Sequence, residues 1–266
     1  MKPNSFLRED ALSKLEGKWG FTVALTLVYY IVVQVSSNCV SGPIDFLEAK
    51  RLLGYDISTE ALGYIALIPL LILALICFSS IMSWGYTITF LRLFRDKKKD
   101  LSYLFAGFSQ FKRVLGTMLL MLLYTCLWTL LFIIPGYIKQ YSYAMTPYIL
   151  EDRPDLSYDE AIEESMRMMD GYKGKLFCLH LSFIGWGILA IFTCGIGFLW
   201  LYPYIYMSQA AFYEDRKAEL YPEAAEEAPM NEQEVVADEP VKEEVAQEKV
   251  VAEPANLKNE GNYDKG

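Results

Sequence analysis

The chain has 266 residues, 53% of them hydrophobic and 15% aromatic, yet its formal net charge is −9. The acidity is segregated: residues 1–217 hold 20 Lys/Arg against 19 Asp/Glu, and residues 218–266 hold 4 Lys against 14 Asp/Glu. Without a concentrated basic face the chain is a poor nucleic-acid binder. Its five cysteines (Cys39, Cys77, Cys126, Cys178, Cys194) lie in or beside apolar runs with no CxxC or Cys/His spacing, which excludes the usual zinc sites.

Residues 1–18 form an amphipathic segment in which Leu7, Ala11 and Leu15 share a face. Glu9, Asp10 and Glu16, and the lack of a small-x-small site after Val33, argue for an uncleaved membrane helix rather than a signal peptide. A helix needs about 20 apolar residues to cross the roughly 30 Å hydrocarbon core, since its backbone amides must be satisfied internally. Six spans are expected on that basis, at about 19–40, 62–91, 114–134, 137–150, 176–194 and 198–213. Pro69 is expected to kink or tilt the second. Pro135-Gly136 and Gly195-Ile196-Gly197 read as tight turns, so the last four pair as antiparallel hairpins. The fourth is short and contains Pro147; it either spans or is re-entrant.

Between the hairpins lie two further amphipathic stretches. Tyr158, Ala161, Ile162, Ser165, Met169 and Tyr172 recur at helical spacing, with Asp159, Glu160, Glu163, Glu164 and Asp170 opposite. Ser157 followed by Glu160 is a capping box that starts this helix. Leu101, Leu104, Phe105, Phe108 and Phe111 mark the earlier counterpart. Asp100-Leu101-Ser102-Tyr103 recurs as Asp155-Leu156-Ser157-Tyr158, and Glu151-Asp152-Arg153 as Glu214-Asp215-Arg216. The chain thus reads as three copies of an amphipathic helix followed by a hairpin, an all-α membrane domain over 19–213. Lys and Arg collect before the first span, over 92–113 and over 151–175, whereas the 41–61 loop has only Lys50 and Arg51. Both termini are therefore expected in the cytoplasm. Residues 214–266 are expected to be a disordered acidic tail.

The runs Ile134-Pro135-Gly136-Tyr137-Ile138-Lys139, Tyr141-Ser142-Tyr143-Ala144-Met145-Thr146-Pro147, Met168-Met169-Asp170-Gly171 and Tyr202-Pro203-Tyr204 carry a family resemblance. Over roughly residues 6–216 the chain resembles the bacterial integral-membrane family catalogued as domain of unknown function 975. The resemblance implies a multi-pass bacterial plasma-membrane protein and brings with it no activity, cofactor or catalytic residue.

Tyr137, Tyr141 and Tyr148 repeat the spacing of Tyr202, Tyr206 and Tyr213 on the fourth and sixth spans. With Lys139, Gln140 and Gln209 they outline a ligand groove of Tyr137, Lys139, Gln140, Tyr141, Tyr202, Tyr206 and Gln209, of the kind polar side chains form between repeat-related helices. The alternative is that these rings anchor at the interfaces and pack between helices. Lys139 could instead snorkel to the outer surface, and His180, the sole histidine, fits a hydrogen-bonded role. No catalytic, metal-binding or cofactor-binding set is found. The first expectation is a non-enzymatic scaffold or envelope regulator in the lipid bilayer, with protein partners at the 157–172 helix and the acidic tail and no nucleic acid. The alternative is a small transporter or binder of a lipid-like or amphipathic ligand.

Overall fold

A computed structural model describes residues 1–54 and 58–222, excepting the side chains at 39, 40, 43, 44, 47 and 58–66. Every regular element among the described residues is helical. In chain order they are α1 (Asn4–Leu15), α2 (Trp19–Leu52), α3 (Ser58–Phe94), a 3₁₀ helix (Leu101–Phe108), α4 (Phe111–Leu131), α5 (Ile133–Ser142), α6 (Thr146–Asp152), α7 (Tyr158–Met168), α8 (Lys173–Leu181), α9 (Ile184–Phe192) and α10 (Phe198–Leu220).

Among the described residues four stretches are long and apolar enough to cross a bilayer: Trp19–Asn38, Leu67–Phe94, Phe111–Leu131 and Lys173–Phe192. The expected fourth span, 137–150, breaks instead into α5 and α6. Proline has no N–H to donate and its ring crowds the carbonyl four residues back, which favours a break between Tyr143 and Pro147, although α3 and α10 absorb Pro69 and Pro203 without one. A side chain repairs the break. Ser165 of α7 donates its hydroxyl to the Ser142 carbonyl at 2.9 Å and accepts the Met145 N–H at 3.2 Å, satisfying both interrupted backbone groups. The expected sixth span exists as α10, a single helix through Pro203, but its second half is polar and runs on into charged residues.

Several boundaries differ from expectation. The α2 helix continues to Leu52 and α3 starts at Ser58, so most of the expected 41–61 loop is helical. Pro69 lies within α3 without ending it. The second hairpin turns at Phe132, whose backbone is extended, rather than at Pro135-Gly136. Pro135 falls in the first turn of α5, where a missing N–H costs nothing. Gly136 is there for proximity: a Cβ on it would stand 2.6 Å from the Thr129 Cα. The third turn forms as expected, with positive φ at Cys194 and Gly195. Residues 214–220, expected in the disordered tail, are the last turns of α10. The stretch 223–266 lies outside the described residues.

Met1–Leu220 forms one unit. Its core joins Ala11 and Leu15 of α1, Leu25 of α2, Met82, Tyr86, Phe90 and Leu93 of α3, Leu104 and Met207. Two of the amphipathic segments pack into the bundle instead of lying apart: Leu7, Ala11 and Leu15 are buried, as are Ala161, Ile162, Ser165 and Met169 on the face of α7 and the residues after it. The 3₁₀ helix buries Leu104 but leaves Leu101, Phe105, Phe108 and the following Phe111 exposed. Large apolar side chains are otherwise exposed along the hairpin arms, among them Leu70, Leu130, Phe132, Ile133 and Phe192.

The C-terminal ends of α3, α6 and α10 are tied by charge. Arg95 makes two 2.7 Å hydrogen bonds to Asp152 and one of 2.6 Å to Glu214, while Arg92 reaches Glu151 and Lys217 reaches Asp152, each at 2.7 Å. The repeated acidic triplets thus lie at the end of α6 and in the last turns of α10, where the two helices meet on the basic end of α3.

Candidate functional site

A cavity of about 650 Å³ lies beside this core, bounded by α2, α3, α4, α5, α6, α8 and α10 and the segment joining α5 to α6. Tyr29 and Tyr206 line it, with Tyr86 packed against both rings. The Tyr29 and Tyr86 rings are parallel at 4.4 Å, and Tyr206 meets Tyr86 edge-on at 4.8 Å. From α3 come Ser79, Ser83 and Thr87, one helical face of hydroxyls, joined by Ser80. The break at Pro147 turns Tyr143 and Tyr148 towards the same space, and Trp84 holds that segment by donating its indole N–H to the Pro147 carbonyl at 3.1 Å. Leu122 and Tyr137 stand at the mouth, 43% and 52% exposed.

His180 is the centre of the polar wall. Its Nε2 lies 2.6 Å from the Gln209 side-chain nitrogen and its Nδ1 lies 3.3 Å from the Tyr141 hydroxyl. An amide nitrogen only donates, so Nε2 accepts and Nδ1 carries the proton directed at Tyr141. Both ring nitrogens are engaged. Tyr137 continues the chain, its hydroxyl 3.4 Å from that of Tyr141. Tyr148 is different: its residue is 1% exposed and its hydroxyl has no hydrogen-bond partner. Its ring stacks on Tyr213 at 5.1 Å, so the last members of the two tyrosine series meet face to face.

Five of the seven groove residues read from the sequence, Tyr137, Gln140, Tyr141, Tyr206 and Gln209, line this cavity together. Lys139 does not: its ammonium sits over the Trp128 ring at 5.2 Å and 3.6 Å from the Met166 sulfur, on the side of α5 that faces α7. Tyr202 does not either; it stacks on Phe198 at 5.6 Å and is largely exposed. The α3 hydroxyls were missed, although Ser79, Ser83 and Thr87 at i, i+4 and i+8 in an otherwise apolar run were a readable signal. Tyr29 and Tyr143 carried none. Among the described residues no Asp, Glu, Lys or Arg lines the cavity, and no three His, Cys, Asp or Glu converge to hold a metal ion.

A second, smaller groove of about 350 Å³ is apolar and aromatic, with Trp19, Trp186 and Trp200 in its walls.

Comparison with curated proteins and with solved structures returns no match. The family model described as "Protein of unknown function (DUF975)" matches residues 1–139 and 130–219. The chain therefore belongs to the DUF975 family.

Proposed function

We propose that this is a polytopic protein of the bacterial plasma membrane that holds a lipid-like or amphipathic small molecule, without chemistry of its own, in the cavity beneath its hairpins. The observation that carries the reading is that cavity: its size falls within the roughly 300–1,000 Å³ of small-molecule sites, with polar groups converging on an aromatic floor. Apolar Leu122 at the mouth and exposed apolar hairpin arms above it suit a ligand whose tail stays in lipid while its head enters the protein. The wall offers hydroxyls, amides and an imidazole with both nitrogens already taken, a set suited to binding rather than to reaction.

The membrane arrangement we propose follows from where charge stops. The amino terminus lies 3.4 Å from Glu219, and the basic runs around Lys97 and Lys173 belong to the same end, so both are assigned to the cytoplasm. The first hairpin crosses the bilayer. The second is re-entrant: Tyr124 of α4 donates its hydroxyl to Asp159 at 3.0 Å and Lys139 of α5 lies against α7, so charged groups flank both arms. Only Thr125–Leu131 and Ile133–Ile138 remain free of charge, about 10 Å per arm at 1.5 Å per residue, a third of the roughly 30 Å core.

The test is lipid retention. Protein purified in mild detergent should carry a reproducible lipid by mass spectrometry, and Ala144→Phe, which fills the cavity from its wall, should lose it while eluting as the same monodisperse species. Identical lipid profiles for both proteins would defeat the reading. Scaffolding is the second reading, favoured by the exposed Asp159, Glu160 and Glu163 of α7, whose opposite face is already buried. Reversing those three charges should then release a co-purifying protein without changing lipid content.

A further inference from the structure

We infer that the cavity recognises an uncharged, polyhydroxylated headgroup, a sugar or similar polyol, rather than an anionic or cationic one; this rests on the binding reading above. An anion would need Lys, Arg or a free cluster of N–H groups, and a metal ion or primary ammonium would ordinarily be met by a carboxylate. Neither is in the wall. A quaternary ammonium can rest on ring faces instead, which the trimethylammonium probe below tests. Lys139, the one cation nearby in sequence, is turned away onto Trp128 and Met166.

What the wall does provide suits hydroxyls. Ser79 and Ser80 donate to the Ile76 carbonyl, at 3.1 and 2.7 Å, and Thr87 donates to the Ser83 carbonyl at 2.9 Å. Each keeps its lone pairs for a ligand O–H, since a hydroxyl accepts as well as donates. Gln140 contributes an amide with both donor and acceptor atoms, and Tyr206 presents a ring on which an apolar sugar face can lie. The independent mark of a missing partner is Tyr148. The residue lines the cavity, its hydroxyl is buried with nothing to bond, and a buried unpaired hydroxyl is costly. A ligand oxygen would relieve it.

The headgroup chemistry is shared by soluble sugars and by glycosylated lipids, and one experiment separates them. The protein in phosphatidylcholine nanodiscs is melted with hexyl β-glucoside, hexyl sulfate or hexyltrimethylammonium, all with the same tail, and separately with glucose. The glucoside should raise the melting temperature and the two ions should not. Tyr148→Phe should melt no lower than wild type without additive, because it removes an unpaired hydroxyl, yet bind the glucoside about 2- to 12-fold more weakly. Gln140→Leu, at an exposed position on the wall, should weaken binding likewise. An effect from glucose equal to that of the glucoside identifies a soluble sugar as the ligand; an effect from the glucoside alone identifies a lipid-linked one. A larger shift from either ion that these substitutions reduce would overturn the uncharged headgroup and leave the cavity a binding site. No substitution-sensitive shift with any of the three would remove the binding reading as well.

Discussion

Two side chains carry more of this fold than their size suggests. Ser165 sits on the apolar face of α7, where the periodicity alone makes it a tolerated small residue; in the structure it is fully buried and bonds both sides of the gap between α5 and α6. Ser165→Ala would leave a buried donor and a buried acceptor unpaired, each costing about 1–3 kcal/mol. Purified Ser165→Ala should therefore melt several degrees lower than wild type, and unchanged melting would mean that the gap is held by packing alone. Asp152 gathers Arg95, Lys217 and the Tyr213 hydroxyl around a carboxylate that is 7% exposed. Burial pushes its carboxyl up, but the hydrogen bonds and charges of Arg95 and Lys217 outweigh that and hold it below the ordinary 3.8. A carboxylate with a depressed folded-state pKa stabilises fully above its unfolded value of about 3.9, and that contribution fades as pH falls through the lower, folded value. Asp152→Asn should cost about 1–3 kcal/mol, because Arg95 and Lys217, 25% and 32% exposed, lose their carboxylate partner while Arg95 keeps Glu214. Melting curves across pH should show the gap between the two proteins constant from about pH 8 to 5 and closing only below about pH 4.

At the scale of elements, close approach by glycine decides two of the contacts that shape the cavity. A Cβ on Gly85 of α3 would stand 2.7 Å from the Leu104 backbone carbon of the 3₁₀ helix, and one on Gly136 would strike Thr129 across the second hairpin. Backbone cannot give way as a side-chain tip can, so Gly85→Ala and Gly136→Ala should each destabilise by about 1–3 kcal/mol. Gly174, helical with nothing within 4 Å, is the control: Gly174→Ala should be neutral or stabilising by up to about 1 kcal/mol. Thermal melts of the three variants check the ordering, and a destabilised control would remove the argument from proximity. The same elements show what a sequence can disclose. Helix identity, the Ser157–Glu160 capping box, whose Ser157 N–H donates to Glu160 at 2.7 Å, and the Gly195 turn are local matters of spacing and backbone preference, and they were legible. The two tyrosine faces were legible too, because periodicity assigns a side chain to a face. Which faces meet was not. Lys139 and Gln140 are neighbours in sequence yet meet different surroundings about 100° apart around α5, and only the packing of α7 and α8 decides which one meets the cavity. The turn at Phe132 was misplaced because the weight given to Pro135-Gly136 ignored that proline is at home in a helix's first turn, and the break ahead of Pro147 was not expected because 137–150 was read as one span.

For the whole molecule, the question is how deep each hairpin sits. Six full crossings would put Phe132 and Ile196 on the far side of the membrane together with Leu53. The charges beside the second hairpin argue otherwise, since Asp159 at Tyr124 and Lys139 beside α7 would each be expensive in hydrocarbon. Single cysteines in a background lacking the native five distinguish the arrangements. Leu53→Cys, at an exposed position beyond α2, should react in intact cells with a membrane-impermeant maleimide. Lys98→Cys should react only after the cells are opened. On the re-entrant arrangement proposed above, Phe132→Cys, at the tip of the second hairpin, should resist the impermeant reagent from both sides and yield only to a lipid-permeant one, because a tip about 10 Å deep would end inside the hydrocarbon. Ready labelling of Phe132→Cys in intact cells would mean that the second hairpin crosses completely, and α7 would then have to carry its carboxylates at membrane depth. Labelling of Lys98→Cys from outside would invert the orientation, and with it the side of the membrane on which the Arg95–Asp152 tie closes the bundle.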